Sequence, residues 1–399
     1  MEAELLDNTQ FIYEVALAKL ELMALGADAE IKNGFRLFDL KKVEDKRKLV
    51  DRLAYFKRVD KEKTLYSQLV KYNQTRSINQ YLTHWFYPYK GKFHPQMIRA
   101  LINYSQAKPG DLVLDPYVGS GTACLESQVL GIDSVGVDIS PVCNLITKVK
   151  TQSVEVLAEI MAESAEIVNH SNGNSLADFG GNNRAKLNDA IRGIKNEKVR
   201  NFFQVARLIS LSDESRRGRN FNTQFKANVE KMLVSVKDYQ DAIRTHHLKP
   251  GKTTIKQADA RKLPLESKSV DAIVTSPPYS IALDYVKNDS HSLEALGEDT
   301  AKIRSEFIGV RGTNGTKIQL YDEDLKKTYD EMYRVLKPGK VCSIVIGNAT
   351  FQTQEVKTVE LTTDYCQSLG FKLEKNVEKI IYGLYNIMQK ENILIFRKE

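Results

Sequence analysis

The sequence predicts an α/β protein built on a doubly wound, mostly parallel sheet. Short apolar runs alternate with helical patterns, first at Leu112-Val113-Leu114 and again from Thr253 onwards. This alternation is typical of parallel strands joined by helices. Two further apolar runs, 377–382 and 392–397, follow each other closely near the end of the chain and predict an antiparallel edge.

The centre of the predicted sheet is the stretch Asp115-Pro116-Tyr117-Val118-Gly119-Ser120-Gly121-Thr122, which joins the first of these strands to a helix predicted over 123–130. Its two glycines let the backbone pass close to a ligand, and the amides that open the helix favour an electronegative group. Asp138 ends the next predicted strand, 17 residues beyond Gly121. An acidic residue in that position can accept hydrogen bonds from the two hydroxyls of a ribose. Together these features predict a nucleoside cofactor.

Two regions depart from the alternation of strands and helices. Residues 1–82 carry apolar side chains mostly three, four or seven apart among many charges, which predicts an N-terminal helical region. Residues 151–252 lack clear strand patterns and predict an inserted helical domain. The α/β domain would then comprise 83–150 and 253–399. Within it, an aromatic segment with prolines, 85–95, is expected to wall one side of a pocket.

The net charge allows a nucleic-acid partner without requiring one, since 58 basic and 51 acidic residues give +7 over 399 residues. The excess is concentrated in residues 184–252, with 16 Lys and Arg against 7 Asp and Glu. There Arg216, Arg217 and Arg219 surround a glycine in a predicted loop, which favours contact with phosphates. The insertion is therefore the expected nucleic-acid-binding surface, with 284–317 as the alternative.

The cysteines, the N-terminus and the length of the apolar stretches argue against several classes of protein. Four cysteines stand far apart, with no Cys-x-x-Cys and no histidine-rich companion, so neither a disulfide framework nor a metal site is expected. The N-terminus lacks a signal-peptide pattern, and no apolar stretch is long enough to span a bilayer. We therefore expect a cytoplasmic protein without a membrane partner.

A second motif, Thr275-Ser276-Pro277-Pro278-Tyr279, follows a later predicted strand. Together with the glycine turn, it resembles the S-adenosylmethionine-dependent amino-methyltransferases of DNA, which methylate cytosine N4 or adenine N6. The resemblance covers roughly 87–140 and 253–398 and implies a Rossmann-like methyltransferase sheet. Because the glycine turn comes first, the chain is not circularly permuted.

The second motif suits methyl transfer to an exocyclic amine. Two successive prolines fix the backbone and remove two donors, which leaves rigid carbonyls pointing into the cleft. Ser276 and the carbonyl of Pro277 can accept hydrogen bonds from the amine and stabilise its developing positive charge. Tyr279 offers a face on which an extruded base can stack, since an amine inside a duplex is reached by base flipping. The expected catalytic residues are Ser276, Pro277, Pro278 and Tyr279.

The resemblance also assigns the residues that hold S-adenosylmethionine. It implies that the methionine end is surrounded by Phe93, His94, Pro95, Asp115, Tyr117, Gly119 and Gly121. It further places Asp138 on the ribose and Asp259 near the adenine amine, although Asp259 has an alternative explanation as the cap of a strand end. A serine before Pro-Pro-Tyr favours cytosine N4 in this family, whereas Asp or Asn favours adenine N6. The expected substrate is double-stranded DNA, with a restriction endonuclease as a possible counterpart.

Three alternatives stay open at this point. An RNA amino-methyltransferase would use the same pair of motifs, although no RNA-binding module is recognisable. A nicotinamide or flavin oxidoreductase is disfavoured because Cys124 stands where its fingerprint has a third Gly or Ala. A catalytically silent nucleic-acid-binding protein is disfavoured by the intact motif at 276–279.

Overall fold

The computed structural model describes residues 1–73, 75, 77–171, 182–278, 284–313, 315–351, 354–382 and 388–399. In these ranges, none of the helices combines the length and the apolar character that crossing a membrane requires. The four cysteines are all buried and free.

The prediction of a helical N-terminal region is wrong, since the region contains a five-stranded antiparallel sheet. Its elements are β1 (Glu2–Leu5), α1 (Ile12–Ala24), β2 (Ala27–Ile31), β3 (Leu37–Val43), α2 (Lys46–Arg52), β4 (Phe56–Val59), β5 (Glu62–Lys63) and α3 (Leu65–Leu69). The strands lie in the order β2-β3-β1-β4-β5. The prediction of helices fails at short strands such as β3. Its residues Phe38 and Leu40 are buried on one face, as alternation requires, but Leu37 and Leu40 also stand at a helical spacing.

The first half of the α/β sheet follows the prediction closely. The aromatic segment is irregular and leads into α4 (Pro95–Tyr104), followed by β6 (Leu112–Asp115), α5 (Thr122–Val129), β7 (Asp133–Asp138) and α6 (Pro141–Gln152). Strands β6 and β7 pair in parallel, with Asp115 opposite Gly136. The glycine turn therefore lies where predicted, between a buried strand and the first turn of α5.

The inserted residues are helical throughout their described part, as predicted. The helices are α7 (Leu157–Ser171), α8 (Asn182–Gly193), α9 (Glu197–Arg217) and α10 (Phe221–His246). Gly218 ends α9 in the left-handed conformation, and the side chain of Asn220 caps α10 by accepting from the Thr223 amide. The insertion shares a buried cluster with α6, in which Phe202 and Phe225 pack with Ile146.

The second half completes the sheet. Its elements are β8 (Thr253–Gln257), β9 (Val270–Thr275), α11 (Tyr285–Asn288), α12 (Ser290–Leu296), α13 (Thr300–Glu306), α14 (Lys317–Val335), β10 (Leu336–Ile346), β11 (Ala349–Phe351), β12 (Gln354–Val356), α15 (Thr358–Ser368), β13 (Phe371–Tyr382) and β14 (Met388–Lys398). The seven strands lie in the order β13-β14-β10-β9-β6-β7-β8. The last two strands run antiparallel and form one edge, which confirms the predicted fold class.

The strand order explains where a ligand can bind. The chain proceeds from β6 outward to β7 and β8, then returns to the other side of β6 with β9 and β10. Every residue of β9 is buried, because one face of the sheet packs on α4 and the N-terminal region and the other packs on α14. In such sheets ligands bind in the crevice beyond the carboxyl ends of the strands, where the order reverses.

Candidate active site

The crevice beyond the carboxyl ends of β6, β7, β8 and β9 is a cleft with about 790 Å³ of space between its walls, including the open mouth. We call it the strand-end cleft. It brings together eight of the residues predicted from sequence. These are Phe93, Tyr117, Gly119, Asp138, Asp259, Ser276, Pro277 and Pro278. Five separate segments of the chain therefore meet at the predicted place.

The glycine turn forms the floor of the strand-end cleft. Gly119 and Gly121 adopt φ angles of +47° and +77°, in the left-handed region that favours glycine. A Cβ on Gly121 would lie 2.6 Å from side-chain atoms of Thr147, and a Cβ on Gly119 would lie 3.2 Å from the ring of Tyr89. The absence of both Cβ atoms is what allows the backbone to pass this close to α6 and to the aromatic segment.

Asp138 is half-buried at the end of β7 and faces the strand-end cleft. Its two carboxylate oxygens accept from the amides of Gly119 and Ser140, at 3.0 and 2.8 Å. Burial raises the pKa of this carboxyl to about 6, against the opposing effect of the two amides. A carboxylate has about four acceptor positions, so positions remain for the hydroxyls of a ribose.

Asp115 lies beneath the glycine turn and does not line the strand-end cleft. It is 2% exposed, and one of its oxygens accepts from the Thr275 hydroxyl at 2.6 Å and from the Tyr117 amide at 3.1 Å. Burial raises the pKa of the Asp115 carboxyl to about 7. Asp115 therefore links the turn after β6 to the last residue of β9, which places the two motifs side by side.

The end of β9 brings Ser276, Pro277 and Pro278 to the wall of the strand-end cleft. The carbonyl of Pro278 accepts from the Tyr321 hydroxyl at 3.0 Å. Tyr279, the fourth predicted catalytic residue, lies outside the described residues. The described part of the motif thus lies beside the glycine turn.

Three other predicted cofactor residues have different surroundings. His94 is exposed and Pro95 is buried at the first position of α4, and neither lines the strand-end cleft. Asp259 lines it, but its carboxylate is bound by the guanidinium of Arg261, with a closest approach of 2.5 Å. Its oxygen also accepts from the Arg261 amide at 2.8 Å. Asp259 therefore accepts from the backbone just after the end of β8, as the alternative role of a strand-end cap predicts, and it also lies at the cleft.

Several residues of the cleft were missed by sequence reasoning. Phe307 and Ile308 form a wall after α13, and Tyr285 stacks on Phe307 with ring centroids 6.2 Å apart. Lys92 also lines the cleft, where burial lowers the pKa of its ammonium group to about 7. The segment 306–308 carries no motif that could have placed it. Lys92, in contrast, belongs to the aromatic segment that was expected to form a wall.

A second groove adjoins the strand-end cleft and shares Tyr89, Lys92 and Phe93 with it. It lies between the aromatic segment and helices α9 and α10, and its walls enclose about 1250 Å³ of open space. We call it the arginine groove. Its lining includes Trp85, Tyr87, Asp213, Arg217, Arg219 and Lys231.

The three predicted phosphate-binding arginines do not share one role, and two of them do not lie in a loop. Arg216 and Arg217 are the last residues of α9. Arg216 donates to the carbonyls of Pro88 and Asn288 at 3.3 and 2.9 Å, and its side chain is 29% exposed. Arg217 and Arg219 line the arginine groove with side chains 57% and 50% exposed, both beside Asp213. Arg217 pairs with Asp213 four residues earlier on the same face of α9. The helix therefore continues through both arginines and ends at Gly218.

Comparison with known proteins agrees with this geometry. Residues 27–148 match the family model of DNA methylases, and the match begins inside the N-terminal region that the resemblance had left out. The Type II methyltransferase M.MjaII of Methanocaldococcus jannaschii is 41% identical over 73 residues, which cover 18% of this chain and 14% of that protein. The Type II methyltransferase M.BsoBI of Geobacillus stearothermophilus is 24% identical over 353 residues, covering 74% of this chain and 67% of that protein.

Two further similarities are to a tRNA methyltransferase and to a solved methyltransferase structure. The tRNA (guanine(10)-N2)-dimethyltransferase of Methanothermobacter thermautotrophicus is 40% identical over 55 residues, which cover 14% of this chain and 16% of that protein. A crystal structure of a SAM-dependent methyltransferase from Methanosarcina mazei covers 72% of this chain and 92% of its own, with 12% identity and a TM-score of 0.32.

The doubly wound sheet and the strand-end cleft define a class of proteins that bind a nucleoside cofactor beside a second substrate. The match to the DNA methylase model and the similarity to the Type II methyltransferases support an S-adenosylmethionine-dependent amino-methyltransferase of DNA.

Proposed function

We propose that the protein transfers a methyl group from S-adenosylmethionine to an exocyclic amine of a base in DNA, with cytosine N4 as the preferred acceptor. The observation that carries the proposal is the meeting of the glycine turn, Asp138 and the Ser-Pro-Pro loop in the strand-end cleft. A nucleoside site and an amine-accepting loop in one cleft are what this reaction needs. The two motifs are far apart in the sequence, and the fold brings them together.

The cofactor fits the residues present. Gly119 leaves room at the floor, Asp138 offers acceptors for ribose hydroxyls, and Asp259 lies further along the wall. When bound there, S-adenosylmethionine would supply an electrophilic methyl group, and the amine that accepts it would give up a proton to solvent. The methionine end is assigned to the side of Phe93, Tyr117 and the glycine turn.

The chain's own part in the reaction is to hold and orient the amine. We assign the hydroxyl of Ser276 and the carbonyl of Pro277 as acceptors for the two N–H groups, which directs the nitrogen lone pair and stabilises positive charge on it. Neither proline nitrogen can donate, so the backbone of these two residues offers the amine only acceptors. Serine at this position carries the preference for cytosine N4 over adenine N6. Tyr279 is proposed as the stacking partner of a flipped base.

DNA is proposed to approach along the arginine groove, because this groove adjoins the strand-end cleft and carries Arg217 and Arg219 as half-exposed cations. Arg216, which was grouped with them from sequence, is assigned instead to holding α9 against the aromatic segment and α11. A restriction endonuclease counterpart and a cytoplasmic location belong to the same proposal, since the relatives are Type II methyltransferases.

RNA is the second candidate substrate, and the similarity to a tRNA guanine-N2 dimethyltransferase favours it. Incubation with tritiated methyl donor and either duplex DNA or total tRNA separates the two. We expect incorporation into DNA at least about tenfold above incorporation into tRNA. Incorporation into tRNA alone would show that the substrate is RNA, and no incorporation into either nucleic acid would overturn the proposal.

A further inference from the structure

Helix α14 contacts the strand-end cleft from behind through one of its faces. Tyr321, Asp324 and Thr328 are spaced three and four residues apart, so they share that face. All three are buried, with Tyr321 2% exposed and the other two wholly inaccessible. Each makes a polar contact to a different loop of the cleft, which an ordinary packing face would not require.

The first contact is made by Tyr321. Its hydroxyl donates to the carbonyl of Pro278 at 3.0 Å. Since proline nitrogens carry no hydrogen, the Pro-Pro segment cannot fix its own orientation by donating to a neighbour. The Tyr321 hydroxyl therefore holds the carbonyl of Pro278, and through the rigid proline ring it limits the orientation of the preceding Pro277 carbonyl.

The second contact is made by Asp324. Its carboxylate accepts from Arg261 Nη1 at 2.9 Å and from Arg311 Nε and Nη2 at 2.6 Å each. Arg261 in turn binds Asp259 through Nε and Nη2 and donates to the carbonyl of Glu306 at 2.9 Å. A wholly buried carboxylate between two guanidiniums thus connects Asp259 to the wall that follows α13.

The third contact is a hydrogen bond between the hydroxyls of Thr328 and Tyr117, 2.8 Å apart. Tyr117 belongs to the glycine turn after β6, Asp259 follows β8 and Pro278 follows β9. One face of one helix therefore supports the loops after three of the strands that end at the cleft.

We propose that Tyr321 and Asp324 are positioning residues, and that each fixes the position of a different half of the strand-end cleft. Tyr321 positions the Pro-Pro segment, whose Pro277 carbonyl receives the amine, and Asp324 positions Asp259 and the wall at 306–308, which enclose the cofactor. The proposal rests on the proposed function, because it divides that one cleft into an amine half and a cofactor half. It predicts that single substitutions on α14 split binding of the cofactor from the rate of transfer.

The test measures cofactor affinity and turnover for Tyr321→Phe and Asp324→Asn. Affinity is the Kd for S-adenosylhomocysteine by calorimetry, and turnover is kcat at saturating methyl donor and DNA. We expect Tyr321→Phe to lower kcat by about 10- to 100-fold with Kd within about twofold of wild type, because a misplaced acceptor costs rate. We expect Asp324→Asn to raise Kd by about tenfold or more, since Arg261 would lose one of its two carboxylates.

A charge-balanced variant distinguishes positioning of the cofactor half by Asp324 from a purely structural role of this residue. Asp324→Asn leaves two partly buried guanidiniums with one carboxylate, whereas Asp324→Asn with Arg311→Gln restores neutrality. The double variant should recover the melting temperature but not the affinity for the cofactor. Asp330→Asn is the matched control, because Asp330 lies on the exposed side of the same helix and bonds only to Tyr365 among the described contacts.

Two results would overturn the inference. One is recovery of cofactor affinity together with stability in the double variant, and the other is an equal effect of Tyr321→Phe on Kd and kcat. Failure of the proposed function looks different, because wild-type protein would then bind no S-adenosylhomocysteine and transfer no methyl group.

Discussion

The strand-end cleft and the arginine groove adjoin each other, yet the residues of the two were predicted with different success. In the cleft, the glycine turn and the Ser-Pro-Pro loop lie side by side as expected, joined through Asp115 and Thr275. Of the three arginines predicted for the groove, Arg217 and Arg219 line it as half-exposed cations, whereas Arg216 lies outside its lining and donates to the carbonyls of Pro88 and Asn288. Motifs that constrain the backbone can be located from sequence, whereas the role of a charge depends on which loops happen to lie beside it.

The largest effect should come from Ser276, the proposed hydrogen-bond acceptor for the amine in the cleft. Ser276→Ala is expected to lower kcat by about 100-fold, the usual cost of removing one group that stabilises transition-state charge, with cofactor Kd unchanged. Steady-state methylation of duplex DNA checks it. Ser269→Ala is the control, because Ser269 lies just before the other end of β9 and bonds to the Glu266 carbonyl. Equal losses from both substitutions would remove the catalytic assignment.

The floor of the cleft should be the next most sensitive. Gly121→Ala places a Cβ 2.6 Å from Thr147 at a φ of +77°, so we expect the free energy of unfolding to fall by about 2 kcal/mol or more and cofactor binding to weaken. Denaturant titration and calorimetry measure the two effects. Gly193→Ala, at the end of α8 with nothing near its Cβ, should leave both unchanged. A fully stable Gly121→Ala protein would contradict the geometry of the turn.

The pH dependence of cofactor binding tests Asp138. Ribose hydroxyls donate to the charged carboxylate, so binding favours the deprotonated form and affinity should be constant above pH 7. Below the pKa of about 6, Kd should rise by up to about tenfold for each unit of pH. Calorimetry with S-adenosylhomocysteine from pH 5 to 8 measures this. In Asp138→Asn the affinity should be weaker and lose this dependence, and an unchanged profile would assign it to another group.

The smallest effects should separate the arginines of the groove. Arg217→Gln with Arg219→Gln should reduce the slope of log K for DNA against log salt by about 1 to 2, with the melting temperature unchanged. Arg216→Gln should instead lower stability by about 1–2 kcal/mol and leave the slope intact, because its hydrogen bonds to Pro88 and Asn288 are lost.

Arg244→Gln provides the matched control for these variants. Arg244 lies near the far end of α10, pairs with Asp241 and is 81% exposed. If it changes the salt slope as much as the groove arginines do, the DNA contact is general surface charge and the groove has no special role.

The errors of the sequence-based prediction have physical causes. The N-terminal sheet was missed because its strands are short and their apolar residues also fit a helical spacing, as Leu37 and Leu40 do. The wall at Phe307 and Ile308 could not be predicted, because its position depends on Arg261 and Asp324, which are 63 residues apart. The glycine turn was predictable because a positive φ at Gly121 excludes almost every other residue type.

The central claim is that the strand-end cleft methylates an exocyclic amine in DNA. The most direct test incubates the protein with S-adenosylmethionine carrying a deuterated methyl group and unmodified duplex DNA, then digests the DNA and identifies the labelled nucleoside by mass spectrometry. We predict labelled N4-methylcytosine, absent from the Ser276→Ala variant. Labelled N6-methyladenine would keep the chemistry and refute the cytosine preference, whereas DNA without any label would contradict the account.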